Sequence, residues 1–216
     1  MRYSLLLFDF DGTLADTSPA IKACHVETAR TFGVEPVDEK TVEAFLHLPL
    51  GKSLPGMYPD LPENEIQTWV AMYRKLYAPL GLELTRPFPG IREVLDQAKD
   101  GGAAMAVTSN KGEEALRASL ASTGLEDYFT LIVGDTGDKP LKPDPLMYFA
   151  YVLPKHPHIT LDQVLVVGDT ETDLAFAENV GCSSCWAAYG YGRPEVCRAR
   201  GPRHTAHRVG ELISFL

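Results

Sequence analysis

Residues 5–17 read Leu-Leu-Leu-Phe-Asp-Phe-Asp-Gly-Thr-Leu-Ala-Asp-Thr, and this stretch decides the fold that the rest of the chain completes. Its first four residues form an uninterrupted apolar run, which is typical of a strand buried on both faces of a parallel sheet. The run ends at Asp9 and Asp11. Residues two apart on an extended backbone point to the same side, so these carboxylates can serve one centre. A strand that simply ends in an Asp-Gly turn is the alternative, and the other loops decide between the two.

The composition is that of a folded globular protein. The chain has 216 residues, of which 45% are hydrophobic and 23% are charged. Its formal net charge of -9 argues against a broad surface for nucleic acid or anionic membrane, because both need clustered positive charge. No apolar run approaches the length of a membrane span, and residues 4–8 are too short for a signal-peptide core. We therefore expect a cytoplasmic protein.

Residues 17–86 carry helical periodicity without any strand pattern, so we predict an all-helical cap inserted into a core of residues 1–16 and 87–216. The two prolines and two glycines of residues 47–56 oppose a long element there and favour a loop. The other predicted cap elements are helices over 18–33 and 38–46, and a helix that begins at Pro62 and stops at Pro79 and Gly81.

Beyond residue 87, strand and helix patterns alternate, which predicts an α/β fold with a doubly wound parallel-sheet, Rossmann-like core. A helix should start at Asp144 and Pro145, with Leu146, Phe149, Ala150 and Leu153 on its packed face. The Gly- and Arg-rich stretch beyond Gly190 carries no element until a terminal helix over 209–215. The predicted strands that follow residues 5–8 cover 103–107, 129–133, 164–167 and 183–187.

Four polar loops follow strands of this sheet. The carboxyl ends of parallel strands lie on one edge, so the loops must gather there. Several carboxylates held close together repel one another, and a bound hard cation such as Mg²⁺ usually neutralises their charge. A hydroxyl, an amide and a lysine suit phosphate oxygens. The sequence thus predicts a site for Mg²⁺ and a phosphoryl group, formed by Asp9, Asp11, Ser109, Asn110, Lys142, Asp169 and Asp173.

Taken in chain order, these loops resemble the four motifs of the haloacid dehalogenase-like hydrolases. The matching segments are Asp9-Phe-Asp11-Gly-Thr-Leu, Ser109-Asn-Lys, Lys142-Pro and Gly168-Asp169-x-x-x-Asp173. The helical insertion after the first motif is similar to that family's cap. Two further segments most resemble the phosphoglycolate phosphatase-like branch, namely Pro87-Phe-Pro-Gly-Ile-Arg-Glu-Val-Leu and Lys142-Pro-Asp-Pro.

The resemblance implies distinct roles for the carboxylates. Asp9 would be the nucleophile that forms an aspartyl-phosphate, and Asp11 would be the acid and base that serves the leaving oxygen and the water. Asp9, the backbone carbonyl of Asp11 and Asp169 would bind Mg²⁺. Asp173 would hold a metal-bound water or orient a neighbour. Because Asp173 also stands three residues after Thr170, a helix capping box is an alternative reading.

The resemblance also implies a set of phosphate-binding groups. Ser109 and the Asn110 amide would bind phosphate oxygens, and Lys142 would tie the nucleophile to the phosphate. Two alternatives stay open at this stage. Thr108 could replace Ser109 as the phosphate ligand, although the number of residues between this motif and Gly124 favours Ser109. Lys139 could replace Lys142, although the Pro-Asp-Pro context favours Lys142.

The spacing of Cys182 and Cys185 superficially suggests zinc. The pair lies in a segment predicted to be a strand, however, where residues three apart face opposite ways and cannot bind one ion together. We therefore expect no zinc site.

The activity that the resemblance implies is Mg²⁺-dependent hydrolysis of a small phosphate monoester similar to phosphoglycolate. The alternatives are a nucleotide phosphatase or pyrophosphatase of the same superfamily, then a sugar phosphomutase, and last a non-catalytic binding module. Ile21 occupies the place of a histidine in the mutase relatives, which counts against a mutase. A dehalogenase does not need the acid that Asp11 supplies.

The expected partner is a small phosphorylated metabolite, with no nucleic acid and no membrane, and the protein should be a monomer or a homodimer. Substrate specificity should reside in the cap. Its candidate residues are His47, Lys52 and Arg86, whose side chains could meet an anionic substrate.

Overall fold

A computed structural model describes residues 2–216, and the chain forms two compact units. The core unit consists of the residues up to Asp16 together with Pro87–Leu216, and the cap unit is Thr17–Arg86. Within residues 2–216 no helix combines the length and the apolar composition that a membrane span requires.

The elements follow one another along the chain as strands and helices. The strands are β1 (Leu5–Phe8), β2 (Ala15–Asp16), β3 (Arg86–Pro87), β4 (Ala104–Gly112), β5 (Leu131–Asp135), β6 (Val164–Gly168), β7 (Ser183–Ala187) and β8 (His204–Ala206). The α-helices are α1 (Ser18–Thr31), α2 (Glu39–Phe45), α3 (Leu50–Met57), α4 (Ile66–Leu84), α5 (Ile91–Asp100), α6 (Glu113–Thr123), α7 (Glu171–Val180) and α8 (Pro194–Ala199). The remaining helical segments are 3₁₀ turns at Glu63–Glu65, Glu126–Tyr128, Leu153–Lys155, Leu161–Gln163 and Val209–Phe215, and a π-helix at Tyr148–Val152.

The main sheet of the core has six strands in the order β5-β4-β1-β6-β7-β8, and all of its pairs are parallel. From β1 the chain passes to β4 on one side and later to β6 on the other. The carboxyl end of β1 is therefore a topological switch point, where open α/β sheets form their ligand crevice. The predicted doubly wound α/β core is confirmed.

Strand β1 is buried on both faces, as its apolar run predicts. Leu6 and Phe8 pack in one hydrophobic cluster, with α5 and α6 residues, while Leu5 and Leu7 pack in another that includes Phe176 of α7. All four β1 side chains have no exposed surface. Each such burial stabilises the fold by roughly 1.5–3 kcal/mol, so the strand that carries the acidic motif is rigidly held.

The sixth strand of the sheet, β8, was not predicted. It lies at the edge, in the Gly- and Arg-rich stretch, where it pairs with β7. Only Ala206 is buried in it, so its three residues show no apolar run. The pairing with β7 selects the strand, since a short edge strand depends on its neighbour for backbone hydrogen bonds. His204 is fixed there by a hydrogen bond with Tyr3 at 2.8 Å.

The predicted packed face of the helix after Pro145 is wrong for Leu146, Phe149 and Ala150, whereas Leu153 is partly buried against the cluster that contains Leu5. Leu146 is 56% exposed and Phe149 is 41% exposed. The buried residues are instead Met147, Tyr148 and Val152. This segment is a π-helix, whose wider turn brings residues four and five apart onto the same side. A 3.6-residue period therefore assigns the wrong face.

A helix, α3, stands where the cap sequence predicts a loop. It runs through Pro55, which removes one backbone donor from the helix. Leu54 and Met57 are buried on its inner face, and Ser53 returns its hydroxyl to the Leu50 carbonyl at 2.9 Å. Burial of the apolar face thus outweighs the cost of the proline.

Helix α4 continues beyond the predicted stop and ends at Leu84. Pro79 is exposed, and it removes one backbone donor from the helix. Gly81 lies against the ring of Tyr77, and a Cβ at this position would overlap the ring. The helix therefore continues through Pro79 and Gly81, the two residues at which the sequence predicts its end.

The cap has its own hydrophobic cluster, in which Trp69 is central. The Trp69 ring stacks on Phe32 with 5.1 Å between ring centroids and contacts Tyr58 at 5.0 Å. The other buried members of the cluster are Ala29, Val42, Leu54, Met57 and Val70. The aromatic stripe of α4 is thus structural.

His25 of α1 is a buried histidine inside the cap. It is 4% exposed, its ring lies 5.0 Å from that of Tyr73, and its Nδ1 has no hydrogen-bond partner among residues 2–216. Burial lowers its pKa from 6.5 to about 4. The neutral form is therefore the one that the folded cap accommodates.

Acidification should destabilise the protein through His25. The pKa of His25 in the folded state lies below its ordinary value of 6.5. The contribution of neutral His25 to the free energy of unfolding is therefore complete above pH 6.5 and is lost as the pH falls toward 4. Between pH 7 and pH 5 the loss should be about 2 kcal/mol. A His25→Leu variant should lack this part of the pH dependence in urea unfolding followed by circular dichroism. His158→Leu, which alters an exposed histidine, is the control; equal pH dependence in the wild-type and His25→Leu proteins would contradict the assignment.

Candidate active site

Asp9 leaves β1 at the switch point of the sheet, and its backbone N–H donates to the Val167 carbonyl at 2.9 Å. The residue is only 8% exposed. The chain turns at Gly12, which has a φ of +77°. A Cβ at Gly12 would also overlap the carboxylate of Asp169. Glycine is thus needed here both for its conformation and for the close approach of the second acidic loop.

Lys142 lies between two buried carboxylates. Its Nζ donates to Asp9 Oδ1 at 2.7 Å and to Asp173 Oδ1 at 2.5 Å. The lysine is 5% exposed and Asp173 is 2% exposed, so the ion pairs are removed from solvent. Lys139, the alternative from the sequence, instead pairs with Glu113 at 2.5 Å. Lys142 is therefore the lysine that reaches the predicted nucleophile.

The charges of this cluster do not balance. Burial raises the pKa of Asp9 to about 6, against the opposing effect of Lys142. The pKa of Asp169 is also raised, by burial and by the carboxylates of Asp173 and Asp9. Burial alone would lower the pKa of Lys142, but the two carboxylates outweigh it and raise that pKa. One buried ammonium group thus stands with three buried carboxylates, two of which it contacts.

Asp173 is occupied on both of its oxygens. Oδ2 accepts the backbone N–H of Thr170 at 3.0 Å and its hydroxyl at 2.8 Å, which forms the capping box of α7. Oδ1 accepts from Lys142. Asp173 therefore fills both of the roles that the sequence suggested: it caps α7 and it binds Lys142.

Asp169 is fully buried and accepts hydrogen bonds from several other segments. Thr13 donates its hydroxyl to Asp169 Oδ1 at 3.0 Å. Trp186 donates its ring N–H to the Asp169 carbonyl at 2.9 Å. Thr13 belongs to the first motif, but its role has no separate signal in the sequence. The contribution of Trp186 depends on the pairing of β6 with β7 and has no local signal.

These carboxylates could hold a divalent cation. Ligand oxygens of Asp9, Asp169 and Asp173 lie within 4.8 Å of one another, and all three residues are buried. Since Asp173 is committed to Lys142 and Thr170, Asp9 and Asp169 are the carboxylates suited to ligate the ion. An all-oxygen set with excess negative charge fits a hard cation such as Mg²⁺.

Asn110 holds the backbone of the loop that carries Lys142. Its side-chain NH₂ group donates to the Lys142 carbonyl at 2.9 Å, and its Oδ1 accepts the Lys142 N–H at 2.8 Å. The register of β4 with β5 shifts between Thr108 and Gly112, and such irregularities re-aim side chains at a strand end. Ser109 is 2% exposed, and Thr108 is fully buried. The choice of Ser109 as a phosphate ligand stays a prediction.

Lys111 is a site residue to which the sequence assigned no role. Its Nζ contacts Asp11 Oδ1 at 3.1 Å and Oδ2 at 3.3 Å. The side chain of Lys111 is 8% exposed, compared with 27% for Asp11. Its position in the Ser-Asn-Lys motif was visible in the sequence, but the contact arises only where β4 lies beside β1.

The three candidate specificity residues belong to the cap unit. Arg86 donates to the backbone carbonyls of Glu83 and Thr85, at 2.7 Å and 2.8 Å, and so caps the end of α4. Lys52 is exposed and His47 is half-buried. Their role in specificity stays a prediction.

The two closely spaced cysteines lie on different faces of the sheet. Cys185 belongs to the cluster that contains Leu6 and Phe8, and Cys182 packs against the cluster that contains Leu5. This is the arrangement expected of residues three apart on an extended chain.

Comparison with known proteins shows the family of the chain. The family model for haloacid dehalogenase-like hydrolases matches residues 6–187. A phosphoglycolate phosphatase from Vibrio parahaemolyticus is 27% identical, over 98% of this chain and 95% of its own length. A phosphoglycolate phosphatase from Aquifex aeolicus is 30% identical, over 98% of this chain and 96% of its own length.

Solved structures agree on the fold. A haloacid dehalogenase-like hydrolase from Streptococcus pneumoniae superposes with a TM-score of 0.89 at 25% identity, covering 99% of this chain and 98% of the other. The chain therefore belongs to the haloacid dehalogenase-like hydrolase family, in the branch that contains the phosphoglycolate phosphatases. The resemblance seen in the four sequence motifs is confirmed.

Removing the ammonium of Lys142 should strongly destabilise the core. A Lys142→Met variant keeps the length of the side chain but leaves the carboxylates of Asp9 and Asp173 without their cation. We expect a loss of about 3 kcal/mol or more in the free energy of unfolding, measured by urea titration at pH 7.5 with a chelator present.

Lys139→Met is the matched control, because it removes the lysine of a less buried pair with Glu113. Its expected loss is about 1 kcal/mol or less. If the two variants lose equal stability, Lys142 does not balance the buried carboxylates.

Proposed function

We propose that the protein is a Mg²⁺-dependent phosphatase that hydrolyses a small phosphate monoester through an aspartyl-phosphate on Asp9. The observation that carries the proposal is the position of Asp9. Its carboxylate lies at the switch point of the sheet, 2.7 Å from the buried Lys142 ammonium and beside Asp169. The family and the named activity of the relatives support the phosphatase class.

In the first half-reaction, a carboxylate oxygen of Asp9 attacks phosphorus. A bond from Asp9 to phosphorus forms, the ester P–O bond breaks, and the leaving oxygen takes a proton from the Asp11 carboxylic acid. With a pKa of about 6, Asp9 is mostly ionised at neutral pH. Lys142 offsets the negative charge that accumulates on the nucleophile and the phosphoryl oxygens.

In the second half-reaction, water attacks the same phosphorus from the side that the leaving group vacated. Asp11 accepts the proton of this water, the bond from Asp9 to phosphorus breaks, and free phosphate is released. The ion pair between Lys111 and Asp11 keeps the Asp11 side chain near the nucleophile's loop. Asp11 thus donates a proton in the first half-reaction and accepts one in the second, which returns it to its starting state.

The residues that would hold Mg²⁺ are Asp9, Asp169 and the backbone carbonyl of Asp11. When bound, the ion supplies positive charge that neutralises the carboxylates and the phosphoryl group. The raised pKa values of Asp9 and Asp169 are consistent with a place where a cation is needed. Asp173 would stay with Lys142 rather than join the ligands.

Phosphoglycolate is the first substrate to test, because the curated relatives described above carry the name phosphoglycolate phosphatase. His47, Lys52 and Arg86 are our candidates for recognition of the part of the substrate beyond the phosphate. Among them, Arg86 already donates to the carbonyls of Glu83 and Thr85, so Lys52, which is exposed, is the better first choice for substitution.

The test is a phosphate-release assay on phosphoglycolate, nucleoside monophosphates, pyrophosphate and a sugar phosphate, with and without Mg²⁺. Phosphoglycolate should be hydrolysed fastest, and chelation should abolish turnover. Asp9→Asn should remain folded, as judged by circular dichroism, and should lose about 10⁴-fold or more in kcat.

Asp135→Asn is the control. Asp135 lies in a Gly-Asp-Thr sequence like that of Asp169, but it accepts the N–H of Gly137 in a surface turn and should leave turnover unchanged. Measurable hydrolysis by Asp9→Asn would exclude Asp9 as the nucleophile. Preference for a nucleotide or pyrophosphate would change the substrate and keep the mechanism, whereas no phosphate release from any ester would contradict the activity.

A further inference from the structure

The segment that follows β7, residues 188–192, lies directly on Asp169, and we name it the strap. Its sequence is Ala-Tyr-Gly-Tyr-Gly. A Cβ at Gly190 would overlap the side chain of Asp169 and the carbonyl of Gly12, and a Cβ at Gly192 would overlap the Asp169 carbonyl. The strap therefore needs glycine at both positions to approach so closely.

The strap supplies one of the two donors that hold the Asp169 carboxylate. The backbone N–H of Tyr191 donates to Oδ2 at 2.7 Å, and the Thr13 hydroxyl donates to Oδ1 at 3.0 Å. A donor on each oxygen fixes the plane of the carboxylate. Each carboxylate oxygen has two lone pairs, so one donor apiece leaves capacity for a cation.

Tyr191 is anchored at its other end as well. Its hydroxyl donates to Asp16 Oδ1 at 2.8 Å, while the neighbouring Tyr189 donates to the Thr13 carbonyl at 2.9 Å. The hydroxyl and the amide of Tyr191 thus contact two different segments of the core unit, β2 and the loop after β6. The position of the amide against Asp169 depends on where the ring is held, and the bond with Asp16 holds it.

The Asp169 carboxylate needs these hydrogen bonds because of the negative charges around it. Asp169 stands among the carboxylates of Asp9 and Asp173, which repel it. An unrestrained carboxylate would rotate away from its neighbours before a cation binds, and the cost of ordering it would reduce the affinity for the cation. Groups that orient a metal ligand commonly change metal affinity by about 10- to 100-fold.

We propose that Tyr191 is a positioning residue for Asp169, and that its hydrogen bond with Asp16 sets the affinity of the site for Mg²⁺. This inference rests on the proposed function, since it takes Asp169 as a ligand of the ion. Tyr191 itself does not touch the ion or the substrate. Its effect passes through the orientation of one carboxylate.

The experiment measures Mg²⁺ binding to the full chain without substrate. Isothermal titration calorimetry gives the Kd, and the rise of the unfolding temperature with Mg²⁺ provides a second readout. Tyr191→Phe removes only the hydroxyl and should weaken Mg²⁺ binding by about 10-fold. Asp16→Ala should do the same, whereas Asp16→Asn, which keeps an acceptor oxygen, should bind nearly as tightly as the wild-type protein.

A double variant tests whether the two residues act through one bond. Tyr191→Phe combined with Asp16→Ala should weaken binding by about 10-fold, not by the product of the single effects. The matched control is Tyr128→Phe, which removes an exposed tyrosine-to-carboxylate hydrogen bond of 2.7 Å to Asp96, a residue of α5 that contributes nothing to the proposed site. It should leave the Kd for Mg²⁺ within twofold of the wild-type value.

The outcomes separate this inference from the proposed function. If the wild-type protein binds Mg²⁺ and Tyr191→Phe and Asp16→Ala bind it equally well, the positioning role is wrong and the metal site stands. If both variants lose stability without metal but keep the Kd, the bond is structural only, and the inference again fails. If the wild-type protein binds no Mg²⁺, both the inference and the metal dependence of the proposed function fail.

Discussion

The buried ammonium of Lys142 is the interaction on which the rest of the site depends. It lies between the carboxylates of Asp9 and Asp173, and each of the three residues is less than one-tenth exposed. In such a place an uncompensated charge costs several kcal/mol. The loops that carry these groups must therefore hold them within hydrogen-bonding distance, and most of the surrounding contacts serve that purpose. Asn110 binds the backbone of the lysine, and Thr170 binds Asp173.

The order of the strands explains how residues so distant in sequence meet. β1 lies between β4 and β6, so the carboxyl ends of these three strands lie at adjacent positions on one edge of the sheet. Asp9 and Asp169 directly follow β1 and β6, Asn110 lies in the last part of β4, and the loop with Lys142 returns to Asn110. The same arrangement leaves an excess of buried negative charge after Lys142 is counted. A phosphate and a divalent cation together complement such a site, because the cation offsets both the carboxylates and the substrate.

Much of the core could be predicted, because β1 and β6 are apolar along their whole length and are followed directly by the acidic motifs. The failures have physical causes in particular residues. Pro55 and Pro79 oppose helices, yet burial of Leu54 in α3 and of Tyr77 in α4 outweighs the loss of a backbone hydrogen bond. β8 has no apolar pattern and forms through its pairing with β7. The helix after Pro145 turns its predicted face outward because its π-helical turn alters the period.

The amino-acid sequence alone was sufficient for the fold class and for the four motifs that mark the family, since these depend on local patterns of apolar and polar residues. Only the tertiary structure shows that Lys111 meets Asp11 and that Tyr191 holds Asp169. Those contacts join segments that have no pattern in common, and they depend on which strands are neighbours and how closely the glycines let loops approach. Asp9 and its neighbours could therefore be named from the chain, whereas the groups that orient them could be found only in the folded protein.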